Sequence, residues 1–219
     1  MKDFFSKNIL NENDNFLQFI IYKTAIPIAI IFNLLGLTPN VITFISFFLC
    51  LVSNYFLLNE QIIFFLVFWY LSHFLDYVDG TLARMTNNKT KILLRIDHMS
   101  DVIKINITLI CICIYYNSIG VWISFSLFNL TFWFYELLSQ QYSQNLKSIL
   151  DKPYRPKFSN KILRNLYVIF FTFNGHSLFL LGIAIINSSF FISLLVYFSL
   201  LTLKGLYSPV VYLSTNYRK

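Results

Sequence analysis

Residues 61–101 read QIIFFLVFWYLSHFLDYVDGTLARMTNNKTKILLRIDHMSD. From Gln61 to Ala83 the stretch is mostly apolar, and a helix that crosses hydrocarbon needs about 20 such residues. Four carboxylates are set into the end of this run and the start of the next: Asp76, Asp79, Asp97 and Asp101. Charge inside a membrane helix is costly and marks function by default. The stretch therefore reads as two consecutive helices in lipid, with chemistry at the end they share.

Working outward, the rest of the chain agrees. Of 219 residues, 57% are apolar and 12% charged, where a soluble domain carries about 25% charged residues. Apolar runs recur from end to end and leave no room for a separate soluble domain. The fold class expected is all-α and integral to the membrane. Six spans are read at about 39–58, 61–83, 94–116, 119–140, 165–186 and 189–211. Residues 16–36 are apolar but interrupted by Lys23, Pro27, Asn33 and Gly36, which predicts an amphipathic helix along the interface. A seventh, shorter span is the alternative. The domain plan is then 1–38 for the cytoplasmic N-terminus and interfacial helix, 39–212 for the six-span domain and 213–219 for a cytoplasmic tail. The N-terminus shows no cleavable signal peptide.

Basic residues set the orientation. Cytoplasmic loops carry the Lys/Arg excess. Fifteen of the 17 fall before the first span, between the second and third, between the fourth and fifth, or at the C-terminus; Lys104 and Lys204 lie within spans toward the same side. The opposite turns near 59–60, 117–118 and 187–188 hold none. An even number of spans, with both termini cytoplasmic, is required. The net charge of +7 follows from this topology and from attraction to anionic headgroups, and excludes nucleic acid as the expected partner. Cys50, Cys111 and Cys113 sit in apolar runs and read as small buried hydrophobes.

Asp76 and Asp79 are three residues apart and share a helix face, which Gly80 and Ala83 continue. Asp97 and Asp101 are four apart on the next helix. A short basic loop joins the two helices, so they are antiparallel neighbours whose acids meet near the cytoplasmic boundary. Four carboxylates without counter-charges repel strongly in a low dielectric, and a bound divalent cation resolves this. All-oxygen ligands suit Mg²⁺, Mn²⁺ or Ca²⁺. Gly80 and Ala83 admit a close ligand such as a nucleotide, and Arg84 suits phosphate oxygens.

The spacing Asp76, Asp79, Gly80, Ala83, Arg84, Asp97, Asp101 resembles the motif D-x2-D-G-x2-A-R-x8-G-x3-D-x3-D of the CDP-alcohol phosphatidyltransferases. Seven of its eight fixed positions agree; Leu93 stands where the family has its second glycine. Six spans, a leading interfacial helix and an entry of the form Thr38-Pro39-Asn40-x-x-Thr43 are also typical of that family. The resemblance implies a phosphotransferase for substituted phosphate groups. It would move a phosphoryl group from a CDP-alcohol donor to an acceptor alcohol and release CMP, in phospholipid or related glycolipid or glycan synthesis. It implies two Mg²⁺ or Mn²⁺ ions held by Asp76, Asp79, Asp97 and Asp101, with Asp101 also the general base. Gly80, Ala83, Arg84 and Thr90 would meet the nucleotide, with Asn40 and Thr43 nearby. At least one substrate would be a lipid and the assembly a homodimer. Separately, the Ile/Asn/Lys/Phe-rich composition suggests an AT-rich, bacterial genome and hence a bacterial cytoplasmic membrane.

Other residues carry less. Arg155, Lys157 and Arg164, in the basic loop at 141–164, are candidates for a phosphorylated acceptor, although topology alone accounts for them. His176, in the fifth span, is a candidate acceptor contact. His98 follows Asp97 as in the choline and ethanolamine branch, or is simply a polar residue near the interface. His73, one turn before Asp76, reads as an interior histidine or as support for the ion site, and Glu136 as structural. Two other functions compete: a silent member that binds lipid or a partner, motivated by Leu93, and a divalent-cation transporter, which the lack of an internal repeat disfavours.

Overall fold

The computed structural model describes residues 16–86, 91–146 and 182–216, and the side chains of 20–86, 99–134 and 182–203. Six long helices occupy them: α1 Phe16–Leu34, α2 Pro39–Leu58, α3 Ile62–Met85, α4 Lys91–Tyr116, α5 Ile119–Leu146 and α6 Ser188–Asn216. Helices thus cover the runs expected at 39–58, 61–83, 94–116, 119–140 and 189–211, and the leading segment is helical too. The run at 165–186 lies outside the described residues up to 181. Among the described residues, three segments are long and apolar enough to cross a membrane: Pro39–Leu58, Ile62–Met85 and Met99–Tyr116.

The turns follow from local chemistry. After α1, Gly36 takes φ +72°, its N–H bonds to Asn33 O and that of Leu37 to Phe32 O. This closes the helix and satisfies two carbonyls left open at its end. Thr38 is extended, and Pro39 begins α2 where its missing N–H costs nothing. After α2 the same closure recurs without glycine. Glu60 adopts φ +61°, with Glu60 N to Leu57 O and Gln61 N to Phe56 O.

The chain divides into two units, Met1–Asn117 with Gly175–Ile183, and Ser118–Asn174 with Ala184–Lys219. In the first, α2 and α3 form an antiparallel hairpin. Ser46 Oγ donates to Ser72 O at 2.9 Å and Ser72 Oγ to Ser46 O at 2.7 Å, a reciprocal pair that small side chains permit. α4 runs alongside α2 in the same direction, joined by Asn54 Nδ2 to Thr108 Oγ1 at 3.1 Å and by Cys50 against Thr108. α1 lays Ala25 and Ala29 against Leu75, Val78 and Leu82 of α3. In the second unit, Val121, Phe125 and Phe128 of α5 and Phe191, Leu195 and Phe198 of α6 are buried. Gly120 lets Ile192 approach within 3.3 Å of where a Cβ would stand.

The first unit is polar within and apolar without. Thr43, Ser46, Cys50 and Asn54 line one face of α2, of which the last three are buried. Val41, Phe44, Phe48, Leu51, Tyr55 and Leu58 of the same helix are exposed. A surface this apolar is stable in hydrocarbon and a liability in water. The chain is an integral membrane protein. All three cysteines are buried and outside any disulfide, as expected.

Candidate active site

α3 presents Asp76, Asp79, Gly80, Ala83 and Arg84 on neighbouring turns, and α4 brings Asp101 to meet them. Asp76 and Asp101 converge on one atom, Nζ of Lys104. Lys104 Nζ lies 2.5 Å from Asp76 Oδ1 and 2.8 Å from Asp101 Oδ1. Its third contact is Ser46 Oγ of α2, at 3.2 Å. An ammonium has three N–H donors, and here each has an acceptor. Ser46 serves twice, since its hydroxyl also donates to Ser72 O. Lys104 is fully buried, while the side chains of Asp76 and Asp101 are 22% and 34% exposed. The open sides of the two carboxylates are therefore the ones a ligand reaches.

Asp79 is treated differently. It is buried at 3% exposure, and Thr43 Oγ1 of α2 donates to its Oδ2 at 2.6 Å. That length is typical of a hydroxyl bonded to an ionised carboxylate. Thr43, expected near the nucleotide, is thus the residue that fixes Asp79. Asn40, one turn earlier, is exposed.

Arg84 lies two turns beyond Asp76 on the same face of α3. Its guanidinium carbon sits 5.0 Å over the Tyr22 ring of α1, and Nη2 donates to Thr81 Oγ1 at 3.2 Å. Nε is buried with no hydrogen-bond partner among the described residues. Gly80 lies beside this group, where a Cβ would stand 3.6 Å from Arg84 Nη1, an ordinary contact. A planar cation stacked on a ring, with donor capacity to spare, suits bidentate recognition of phosphate. Ala83 is half-buried beside it.

His73, three residues before Asp76, is buried with its ring edge-on to Trp69 at 4.1 Å. It is an interior histidine within an aromatic cluster. Asp97 and His98 lie in the first turns of α4, but their side chains, like those of Leu93, Glu136 and Lys204, lie outside the described set. Thr90, Arg155, Lys157, Arg164 and His176 fall outside the described residues altogether.

The donor set suits a hard divalent cation: Asp76, Asp79 and Asp101 offer only oxygens, and the first two share a helix face with the third opposite. Among the described residues no group of three or more His, Cys, Asp or Glu side chains gathers around a single point. Lys104 is the residue sequence reasoning missed. In the sequence its charge reads as topological, and the acids as lacking a counter-charge. The signal was present, since Lys104 follows Asp101 by three residues and stands in an apolar run, where a base is as conspicuous as an acid.

No curated protein matches the chain. Residues 36–195, well over half of the sequence, match the family model described as CDP-alcohol phosphatidyltransferase. The chain belongs to that family, and the spacing of its acids and Arg84 is set in this context.

Proposed function

We propose that this member of the CDP-alcohol phosphatidyltransferase family transfers a substituted phosphate from a CDP-alcohol to an acceptor hydroxyl, releasing CMP. The observation that carries the reading is the convergence of Asp76 and Asp101 from two helices, with Asp79 fixed by Thr43 and Arg84 by Tyr22 and Thr81 further along α3. In the reaction the acceptor oxygen bonds to the β-phosphorus and the bond from that phosphorus to the CMP oxygen breaks. The acceptor proton passes to Asp101. Its Oδ1 is committed to Lys104, so Oδ2 is the basic atom. Arg84, steadied by Tyr22 and Thr81, orients phosphate oxygens of the donor. Asp76, Asp79 and Asp101, joined by Asp97, would hold Mg²⁺ or Mn²⁺, which when bound neutralises the pyrophosphate and stabilises departing CMP.

The same reading places six spans in the membrane, with both termini and the acid cluster on the cytoplasmic side. The direction of the helices supports it. α2 carries α4 running in its own direction and α3 in the opposite one, and in the second unit α5 and α6 run together, as spans one and three, and four and six, must. The site opens at the edge of the hydrocarbon, where a lipid substrate would enter alongside a polar one. Phospholipid or related glycolipid or glycan synthesis is the setting we favour, in a bacterial cytoplasmic membrane.

A silent, ligand-binding role is favoured by one observation, the ammonium that already bridges two of the acids. One experiment separates the two. Purified protein in detergent with Mn²⁺ is offered a panel of CDP-alcohols and pooled acceptors, and CMP is measured. Release that Asp101→Asn lacks supports the transferase, and the active donor names its substrate class. No release from any donor leaves the silent role standing.

A further inference from the structure

We propose that Lys104 is a built-in counter-ion of the acid cluster. Its ammonium ties Asp76 to Asp101 in the ion-free protein and competes with a divalent cation for them. The inference rests on the reading of this cluster as an ion site, and adds a residue that the matching motif does not contain.

The placement of Lys104 argues against a merely topological charge. A lysine near a helix end normally extends its long stem so that the ammonium reaches the interface. Lys104 does the opposite. It is fully buried, and it spends all three donors on Asp76, Asp101 and Ser46, one from each of the three packed helices. Burying an ammonium is costly unless it is paired and fully hydrogen-bonded, and both conditions are met here. The acids need the arrangement as much as the lysine does. Two carboxylates that meet at one point in a low dielectric repel, and one ammonium lowers the pair's charge from −2 to −1. The protein can thus assemble α2, α3 and α4 around the cluster before any metal arrives.

This has a consequence for metal binding. A divalent ion held by Asp76 and Asp101 would share their charge with an ammonium whose three donors are already satisfied, so the repulsion between the two cations would be subtracted from the ion's affinity. Lys104 thereby acts as a positioning residue. It keeps the carboxylates together and keeps weakly bound ions out until the pyrophosphate of a donor adds its own ligands.

The test uses the full chain in detergent and compares wild type with Lys104→Met. Mn²⁺ binding is followed by the electron-spin resonance of the free ion, and thermal unfolding is recorded in EDTA and in saturating Mn²⁺. We expect Lys104→Met to bind Mn²⁺ at least about tenfold more tightly, since a like charge leaves the site. We also expect it to melt about 6 °C or more below wild type in EDTA, with the deficit closing in Mn²⁺. A role confined to packing would lower stability without raising affinity, so unchanged or weaker Mn²⁺ binding overturns the proposal. If Lys104→Met does not fold without metal, the double variant Lys104→Met/Asp76→Asn decides. It removes one charge of each sign and should fold in EDTA; failure to do so overturns the proposal. Should neither wild type nor Lys104→Met bind Mn²⁺, the reading of the cluster as an ion site has failed. The competition then fails with it, while the EDTA melting curves still decide the tie between the acids.

Discussion

Replacing Thr43 by Val keeps the side-chain shape and deletes one hydroxyl. In the structure that hydroxyl donates to Asp79 Oδ2 at 2.6 Å, and Asp79 is only 3% exposed. A hydrogen bond to a charged group contributes about 1.5–3 kcal/mol, and a contact this short belongs in the upper part of that range. Water has little access to Asp79 and replaces the lost donor poorly. For a chain of this size each kcal/mol moves the melting temperature by about 2–4 °C, so Thr43→Val should melt about 4–12 °C below wild type. The assay is thermal unfolding in detergent, with Thr43→Ser as the control that keeps the hydroxyl. Enzymatic readouts sharpen it. Acting through Asp79, Thr43→Val should raise the Mn²⁺ concentration for half-maximal CMP release more than it raises KM for the donor. A variant that melts within about 1 °C of wild type, or one whose donor KM rises while its Mn²⁺ requirement stays fixed, refutes the reasoning.

Three further outcomes are expected. Arg84→Lys keeps the charge but loses the planar fork and its stacking on Tyr22, so donor KM should rise about tenfold with little change in melting temperature; an unchanged KM removes Arg84 from phosphate binding. Gly182→Ala should destabilise by about 1–3 kcal/mol, because its Cβ would stand 2.9 Å from Trp69 Cδ1 and Trp69 is itself buried; wild-type stability in thermal unfolding would contradict that packing. Glu60→Gly should be neutral or stabilising by up to about 1 kcal/mol, since it relieves φ +61° at an exposed turn; a clear loss of stability would show that Glu60 makes a contact worth more than its strain.

The helices were legible because lipid imposes a simple rule: each spanning segment must be long, apolar and internally hydrogen-bonded. Runs of Phe, Ile and Leu mark α2 so clearly that its bounds, 39–58, coincide with those read from the sequence. The meeting of Asp76 of α3 with Asp101 of α4 was legible from carboxylates with no reason to be in lipid unless they met, while the packing of both helices on α2 was not. Other features were not, because they depend on contacts across helices that spacing along one helix does not reveal. Thr43 lies 36 residues from Asp79, and nothing in the Thr-Pro-Asn-x-x-Thr entry says that its last hydroxyl fixes a carboxylate. Lys104 was visible as an oddity, but its role depends on Ser46, 58 residues away, and on an α2 register that brings Ser46 against Ser72. The turn at Glu60 was unreadable for a different reason. A left-handed residue is expected to be glycine or asparagine, and the chain places glutamate there with Asn59 just before it.

We propose that acids from two helices form a metal-dependent transferase centre, and CMP release by the wild-type protein as Mn²⁺ is removed and restored puts this claim to the test. With an active CDP-alcohol donor, release should stop in EDTA, return on adding excess Mn²⁺ and remain absent in Asp101→Asn under both conditions. Release that continues undiminished in EDTA, or that survives Asp101→Asn, would contradict the claim.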